Sequence, residues 1–165
     1  MYGIQSCPAR FRPGVVIAGA GVAGVAAALG AARGGARVLL LEKSNSPGGM
    51  AGGGMIAKWM SGSISPLQRE IDCRIAASEL APPQRSDGLL NECLKFVLLE
   101  MLEEAGVELL LDCRVIDAER RGRQVSGILV ESVSGIERIE APLFIDATGR
   151  SEEHTSELQS RSDLV

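Results

Sequence analysis

Histidine is nearly missing from this chain: its 165 residues hold one, His154. A Ser-His-Asp triad, a histidine general base or a histidine-ligated metal would all have to be built on that residue. Aromatic residues are 3% of the chain, with one Trp and one Tyr, too few for a platform on which nucleic-acid bases stack. Neither charge sign dominates: Lys and Arg number 17, Asp and Glu 21, for a net charge of −4. A nucleic-acid partner is therefore not expected. Cys7, Cys73, Cys93 and Cys113 form no C-x-x-C pair, so no metal site is expected. They are too few for a secreted disulfide scaffold, which points to a reducing, cytoplasmic setting. Residues 15–32 carry no charge, but glycines punctuate the run and its apolar content is mostly Ala. It reads as strand, turn and buried helix rather than as a signal peptide or membrane span.

What the chain does have is glycine: 20 residues, roughly 12% against a background of roughly 7%. They cluster at 14–35 and 48–54, with no collagen period, and so mark places where backbone must approach something closely. The length suits one domain. The last stretch, RSEEHTSELQSRSDLV at 150–165, abruptly loses every apolar period and holds the sole histidine. The string RSEEHTSELQS resembles the in-frame translation of a common sequencing-adapter oligonucleotide, so 150–165 is expected to be a non-native tail on a truncated reading frame. Without its two Arg and four acidic residues, 15 basic and 17 acidic residues remain, and no histidine.

Residues 1–13 have no period and read as a loose lead-in. VVIA at 15–18 is a β-branched run ending at Gly19, expected as a strand buried on both faces. Residues 21–33 read as an Ala-rich helix stopped by Gly34-Gly35, and RVLLLE at 37–42 as a second buried strand. Together they make a right-handed parallel β-α-β unit. Residues 43–54 read as a glycine loop and 67–80 as a helix. A further helix has Asp87 as N-cap and runs through Leu90, Leu94, Val97, Leu98, Met101 and Leu102 to a stop at Gly106. Its Glu103-Glu104 end opposes the helix dipole. Residues 107–111 read as a third buried strand. Segments 114–118, 124–133 and 136–140, separated by turns at Arg121-Gly122 and Ser134-Gly135, read as an antiparallel meander, and 143–147 as a last strand.

Two features carry chemistry. Gly19-Ala20-Gly21-Val22-Ala23-Gly24 is a G-x-G-x-x-G placed between a strand and a helix, the context a dinucleotide-binding turn requires. Gly19 permits the sharp turn, Gly21 lets backbone approach a pyrophosphate, and Gly24 lets helix and strand pack closely. Val22 and Ala23 open the helix and present free N–H groups at its positive end. Glu42 ends the second strand, 23 residues after Gly19. A carboxylate there accepts hydrogen bonds from ribose 2′- and 3′-hydroxyls and repels a 2′-phosphate, which favours FAD or NAD over NADP. The alternative for Glu42 is a solvated strand-end residue. Trp59, Met55 and Met60 read as a packed cluster, and Cys73, Cys93 and Cys113 as buried small hydrophobes.

GAGVAG, VLLLEK, PGGM, LKFVLLEMLEEAGVELLL and FIDATG, in that order, resemble the FAD-dependent oxidoreductases of the two-dinucleotide-binding, glutathione-reductase-like class, over 14–149. The resemblance implies an α/β fold: a Rossmann-like FAD-binding domain, a parallel sheet with a crossover antiparallel β-meander, here truncated. It implies FAD as cofactor and a small-molecule substrate. It also implies that Gly48-Gly49, with Met50 after them, lie along the pyrophosphate and flavin, and that Lys43 flanks the ribose acid. Val115 would reach the adenine through its backbone, and Ala147-Thr148-Gly149 would return to the adenosine–pyrophosphate half. A later G-D motif and a substrate domain, with the catalytic residues, would lie past Gly149; none of 14–149 is expected to be catalytic. Two alternatives stay open: an NAD-using enzyme similar to thiazole synthases, whose glycine-rich loop GGMAGGGM resembles, and a non-catalytic dinucleotide-binding module.

Overall fold

The computed structural model describes residues 5–6, 12–54, 56, 65–81 and 87–150. Trp59, Met55, Met60, Cys7 and the tail from 151 lie outside the described residues. Three layers are stacked. The middle one is a parallel sheet of β2 (Val15–Ala18), β3 (Val38–Leu41), β4 (Glu108–Leu110) and β8 (Leu143–Asp146), in the order β4-β3-β2-β8. On one face lie α1 (Val22–Arg33), α3 (Pro66–Ala77) and α4 (Asp87–Glu104). On the other lies a second sheet of β1 (Gln5–Ser6), β7 (Gly135–Ile139), β6 (Gln124–Ser132) and β5 (Arg114–Arg121).

The period-2 geometry of a strand explains why β2 and β3 are apolar throughout. Val15, Ile17, Val38 and Leu40 point into the helical core with Val25, Ala28, Leu29, Val97 and Leu98. Val16, Leu39 and Leu41 point the other way, onto Ile128, Val130 and Ile139 of the meander. Truncating a fully buried leucine such as Leu40 to Ala costs about 2–5 kcal/mol by transfer and cavity effects. The charge-free run at 15–32 resolves into β2, its turn and most of α1, and no helix among the described residues is long and apolar enough to cross a membrane.

Several expectations need correction. The run at 107–111 is not a strand buried on both faces: among the described residues β4 sits at the sheet edge with β3 as its one neighbour, its burial alternates, and Leu110 is 36% exposed. Glu108 and Leu110 share the face that is left exposed. The lead-in is not wholly loose, because Gln5–Ser6 pairs in parallel with Glu137 and Arg138 of β7. The glycine loop contains a one-turn helix, α2 (Gly49–Gly52), which low helix propensity hides. Helix α3 begins one residue early, on Pro66 after an N-cap Ser65 whose hydroxyl accepts the Gln68 N–H at 3.1 Å, and ends at Ala77. Cys73 is exposed on α3, whereas Cys93 and Cys113 are buried as expected.

The acidic end of α4 is compensated. Arg74 of α3 holds Glu104 by two bonds of 2.9 and 2.7 Å, and Glu70 receives two bonds of 2.8 and 2.7 Å from Arg33 of α1. A 3.3 Å contact from Arg74 to Glu70 joins the two pairs, so one charged chain laces three helices. Hydrogen bonds from Arg33 and Arg74 hold the Glu70 and Glu104 carboxyls below the usual glutamate range.

Candidate dinucleotide-binding site

The site forms at the C-terminal end of β2, where β3 and β8 flank the strand on opposite sides. Ligands of open parallel sheets collect at such a point. Each glycine of the first turn has a different reason to be there. Gly19 has φ +96°, and a methyl group on it would lie 2.6 Å from the Ala147 carbonyl oxygen. A methyl group on Gly24 would lie 1.7 Å from the Gly19 carbonyl oxygen, an impossible contact. These two are required by the protein itself. Gly21 is not: its backbone is extended and nothing stands within 4 Å of where its Cβ would be. The space a side chain would fill there is open.

Around that space the helix end is bare. Gly21 is the N-cap of α1 and makes no side-chain capping bond, and the first turn carries no acidic residue. The Val25 N–H bonds the Gly21 carbonyl at 2.9 Å. The N–H groups of Val22, Ala23 and Gly24 precede that first helical bond and have no helical acceptor. Val22 and Ala23 are exposed. Bare donors and the positive helix end suit an anion.

Glu42 is 6% exposed, which removes the solvated strand-end alternative. Its Oε2 accepts the Ala20 N–H at 2.7 Å, and its Oε1 accepts the Ser44 N–H at 2.9 Å and the Ser44 hydroxyl at 2.7 Å. A carboxylate has about four acceptor positions, so about one is left over. The Ser44 hydroxyl has a second acceptor within reach, the Ser46 carbonyl at 3.0 Å. One proton cannot serve both. When it turns to Ser46, Oε1 is open to another donor. The Glu42 backbone is held equally firmly, its N–H by Leu110 at 2.8 Å and its carbonyl by the Cys113 N–H at 2.9 Å.

The second glycine turn is docked directly onto the first. The Gly48 N–H donates to the Ala20 carbonyl at 2.8 Å. Gly49 has φ +52°, and a methyl group on it would lie 2.9 Å from the Gly21 Cα. Met50 follows, 70% exposed. Lys43 is exposed beside Glu42. From the other side, the Ala147 N–H donates to Ala18 at 2.8 Å and its carbonyl walls Gly19. Thr148 is folded over Asp146, its N–H and hydroxyl donating to Oδ1 at 3.0 and 2.7 Å, and Gly149 takes φ +65°. Val115 stands further out. It follows the 112–113 segment bonded to Ser44 and Glu42, but its side chain packs into the core between the two sheets, with Val16, Leu39, Leu41 and Val130.

Two participants, Ala20 and Ser44, were not foreseen, nor was the buried polar residue Asn91. Ala20 contributes only its peptide group, which leaves no side-chain signal. Ser44 is a small polar residue in a loop and looks like any other. Asn91 of α4 is 1% exposed, and its amide nitrogen and oxygen have no hydrogen-bond partner among the described residues. Its sequence signal was a polar residue at helical spacing from Leu94 and Leu98.

Comparison with known proteins follows the same outline. The chain is 32% identical over 157 residues to Protein FixC of Escherichia coli K12, covering 81% of this chain and 36% of FixC. It is 31% identical over 177 residues to thiamine thiazole synthase of Aeropyrum pernix, covering 95% of this chain and 62% of that protein. It thus spans about a third of the first of these relatives and under two thirds of the second. Among solved structures, the myxobacterial chondrochloren halogenase CndH, described as a variant of FAD-dependent halogenases, superposes with a TM-score of 0.63 at 18% identity, over 82% of this chain and 37% of that one. The sequence model of the FAD dependent oxidoreductase family matches residues 14–152, so the chain belongs to that family.

Proposed function

We propose that this chain is the FAD-cradling portion of a flavin-dependent oxidoreductase whose full-length form moves a hydride or electron pair to or from a small organic substrate. The observation that carries the reading is the open space at Gly21, bounded by the uncapped end of α1 and by Glu42 tied to the same turn through Ala20. The residues present fit such a dinucleotide. The N–H groups of Val22, Ala23 and Gly24 bind the pyrophosphate, with Gly48, Gly49 and Met50 beside it. Glu42 takes a ribose hydroxyl at its spare acceptor position and a second when Ser44 turns to Ser46. Lys43 flanks that ribose. Val115 meets the adenine through its backbone. Ala147, Thr148 and Gly149 close the adenosine side. A bound flavin supplies the redox chemistry, and the chain supplies position and charge.

The NAD-using alternative is favoured by the match to thiamine thiazole synthase, which extends over 95% of this chain. One titration separates the readings. The purified chain is titrated with FAD, NAD, NADP and ADP by calorimetry, and its visible absorbance is recorded after FAD addition. The proposal expects FAD and ADP to bind, NADP to be rejected, and a protein-bound flavin spectrum. NAD binding tighter than FAD installs the alternative. No binding of any adenine nucleotide refutes both.

A further inference from the structure

An amide with no partner is an unstable thing to bury. An asparagine side chain brings two N–H donors and a carbonyl acceptor, and leaving them unpaired away from water is a cost that leucine would not incur. Asn91 is in that state: 1% exposed, with neither Nδ2 nor Oδ1 bonded among the described residues. Its place on α4 says what could complete it. On the same stripe of the helix, Leu98 lies 3.4 Å from where a Cβ of Gly48 would stand, and the Lys95 stem 3.3 Å from that of Gly52. Asn91 is one helical turn beyond Lys95, about 6 Å further along the axis. Going outward from Glu42, the order is therefore Ala20, Gly21, the Gly48–Gly49 turn, α2 and then Asn91. The adenosine ribose belongs at the Glu42 end. Asn91, one turn further along α4, lies on the far side of the second glycine turn from Glu42.

We propose that Asn91 is a specificity residue for the flavin-bearing half of the dinucleotide, its amide both donating to and accepting from the hydroxyls of the ribityl chain. A polyol is the chemical class that matches an amide offering both functions. This rests on the FAD reading above and adds a residue to it. The Asn91 side chain is then unsatisfied only while the cofactor is away, and the cofactor-free chain carries a cost that binding relieves.

The test uses the full 165-residue chain with Asn91→Leu and, because leucine is differently shaped, Asn91→Ala. FAD and ADP affinities are measured by calorimetry, and the thermal midpoint of the nucleotide-free protein by circular dichroism. Both variants are expected to lose about tenfold in FAD affinity, the size of one or two lost hydrogen bonds, with ADP affinity unchanged. Asn91→Leu is expected to leave the nucleotide-free midpoint unchanged or raised. An unchanged FAD-to-ADP ratio in both variants overturns the proposal. So does an equal loss of both ligands, or a midpoint that falls in both variants, since each means the amide already has a partner within the protein. If the unaltered chain binds ADP and not FAD, the flavin reading fails first and takes this one with it.

Discussion

Two alanine substitutions three residues apart, at Gly21 and Gly24, should part company, because one glycine serves the fold and the other faces the open space. At Gly24 an added methyl carbon would meet the Gly19 carbonyl oxygen at 1.7 Å, whereas ordinary contact begins near 3.4 Å. About 1.7 Å of separation must be found between two pieces of backbone. Gly19 cannot retreat: its N–H is bonded to Leu41 at 2.7 Å and the Ala147 carbonyl stands behind it. Helix α1 has to lift instead, loosening Val25, Ala28 and Leu29 from the core. We expect Gly24→Ala to cost about 3 kcal/mol or more, a large part of a typical domain's 5–15 kcal/mol. At Gly21 nothing lies within 4 Å and the backbone suits any residue. Losing glycine at the N-cap should cost about 1 kcal/mol or less. Yet the new methyl stands in the ligand's space, and FAD affinity should fall about tenfold or more, about 1.4 kcal/mol. Urea unfolding monitored by circular dichroism gives the stabilities, and calorimetric titration gives the affinities. Gly24→Ala costing under about 1 kcal/mol, or Gly21→Ala binding FAD as well as the original chain, would refute the reasoning.

Glu42→Gln puts an amide nitrogen where protein N–H groups donate, so stability should drop about 1–3 kcal/mol in urea unfolding. The same change removes the charge opposing a 2′-phosphate, so the NADP-to-NAD affinity ratio should rise, read by competition titration. Glu70 and Glu104 titrate below their ordinary value near 4.5 because of Arg33 and Arg74, so the unfolded chain binds more protons there. Their contribution is complete above that value and is lost as pH falls through the lower folded pKa values. Glu70→Gln should flatten this acid limb in unfolding free energies measured between pH 3 and 6, chosen to span about one and a half units either side. In the native chain a thiol reagent should label Cys73 at once and Cys93 and Cys113 only after unfolding, as peptide mapping by mass spectrometry will show. Gly127→Val should push away the Arg138 guanidinium, which lies 3.2 Å from the Gly127 Cβ position and reaches over β6 to bond Glu119 at 2.6–3.0 Å. The Glu119 carboxyl, held low by Arg138, should then titrate nearer its ordinary value by NMR.

The β2–α1–β3 unit was legible because three independent signals agree there: β-branched runs, a glycine spacing and a strand-end carboxylate. The meander was legible from its turns, since Gly122 and Gly135 take φ +63° and +112° where short turns were expected. What failed was whatever depends on a neighbour. β4 carries Glu108 where β3 is apolar throughout, and its place at the sheet edge exposes Leu110. Cys73 is on an exposed face of α3, so its type misled. The loop at 43–54 hid α2 because the glycines that argue against a helix are the ones that let it seat against Gly21. Within the site, the glycines and Glu42 were foreseen as residues, but the bonds that tie them together run through Ala20 and Ser44.

The Ala20 peptide unit has a consequence for how the site can be studied. Its N–H, in the Gly19–Ala20 amide, is bonded to the Glu42 carboxylate and its carbonyl, in the Ala20–Gly21 amide, receives the Gly48 N–H, so the backbone of one residue joins the carboxylate to the second glycine turn. Every replacement at position 20 except proline leaves both backbone groups in place. A mutational scan would register only that a fully buried alanine resists enlargement, and would file the position under packing. The coupling becomes visible only when the backbone itself is edited: an ester in place of the Gly19–Ala20 amide deletes the N–H that meets Glu42 while keeping the methyl group in place. The residue that joins the two halves of the cradle is thus one that side-chain genetics cannot see.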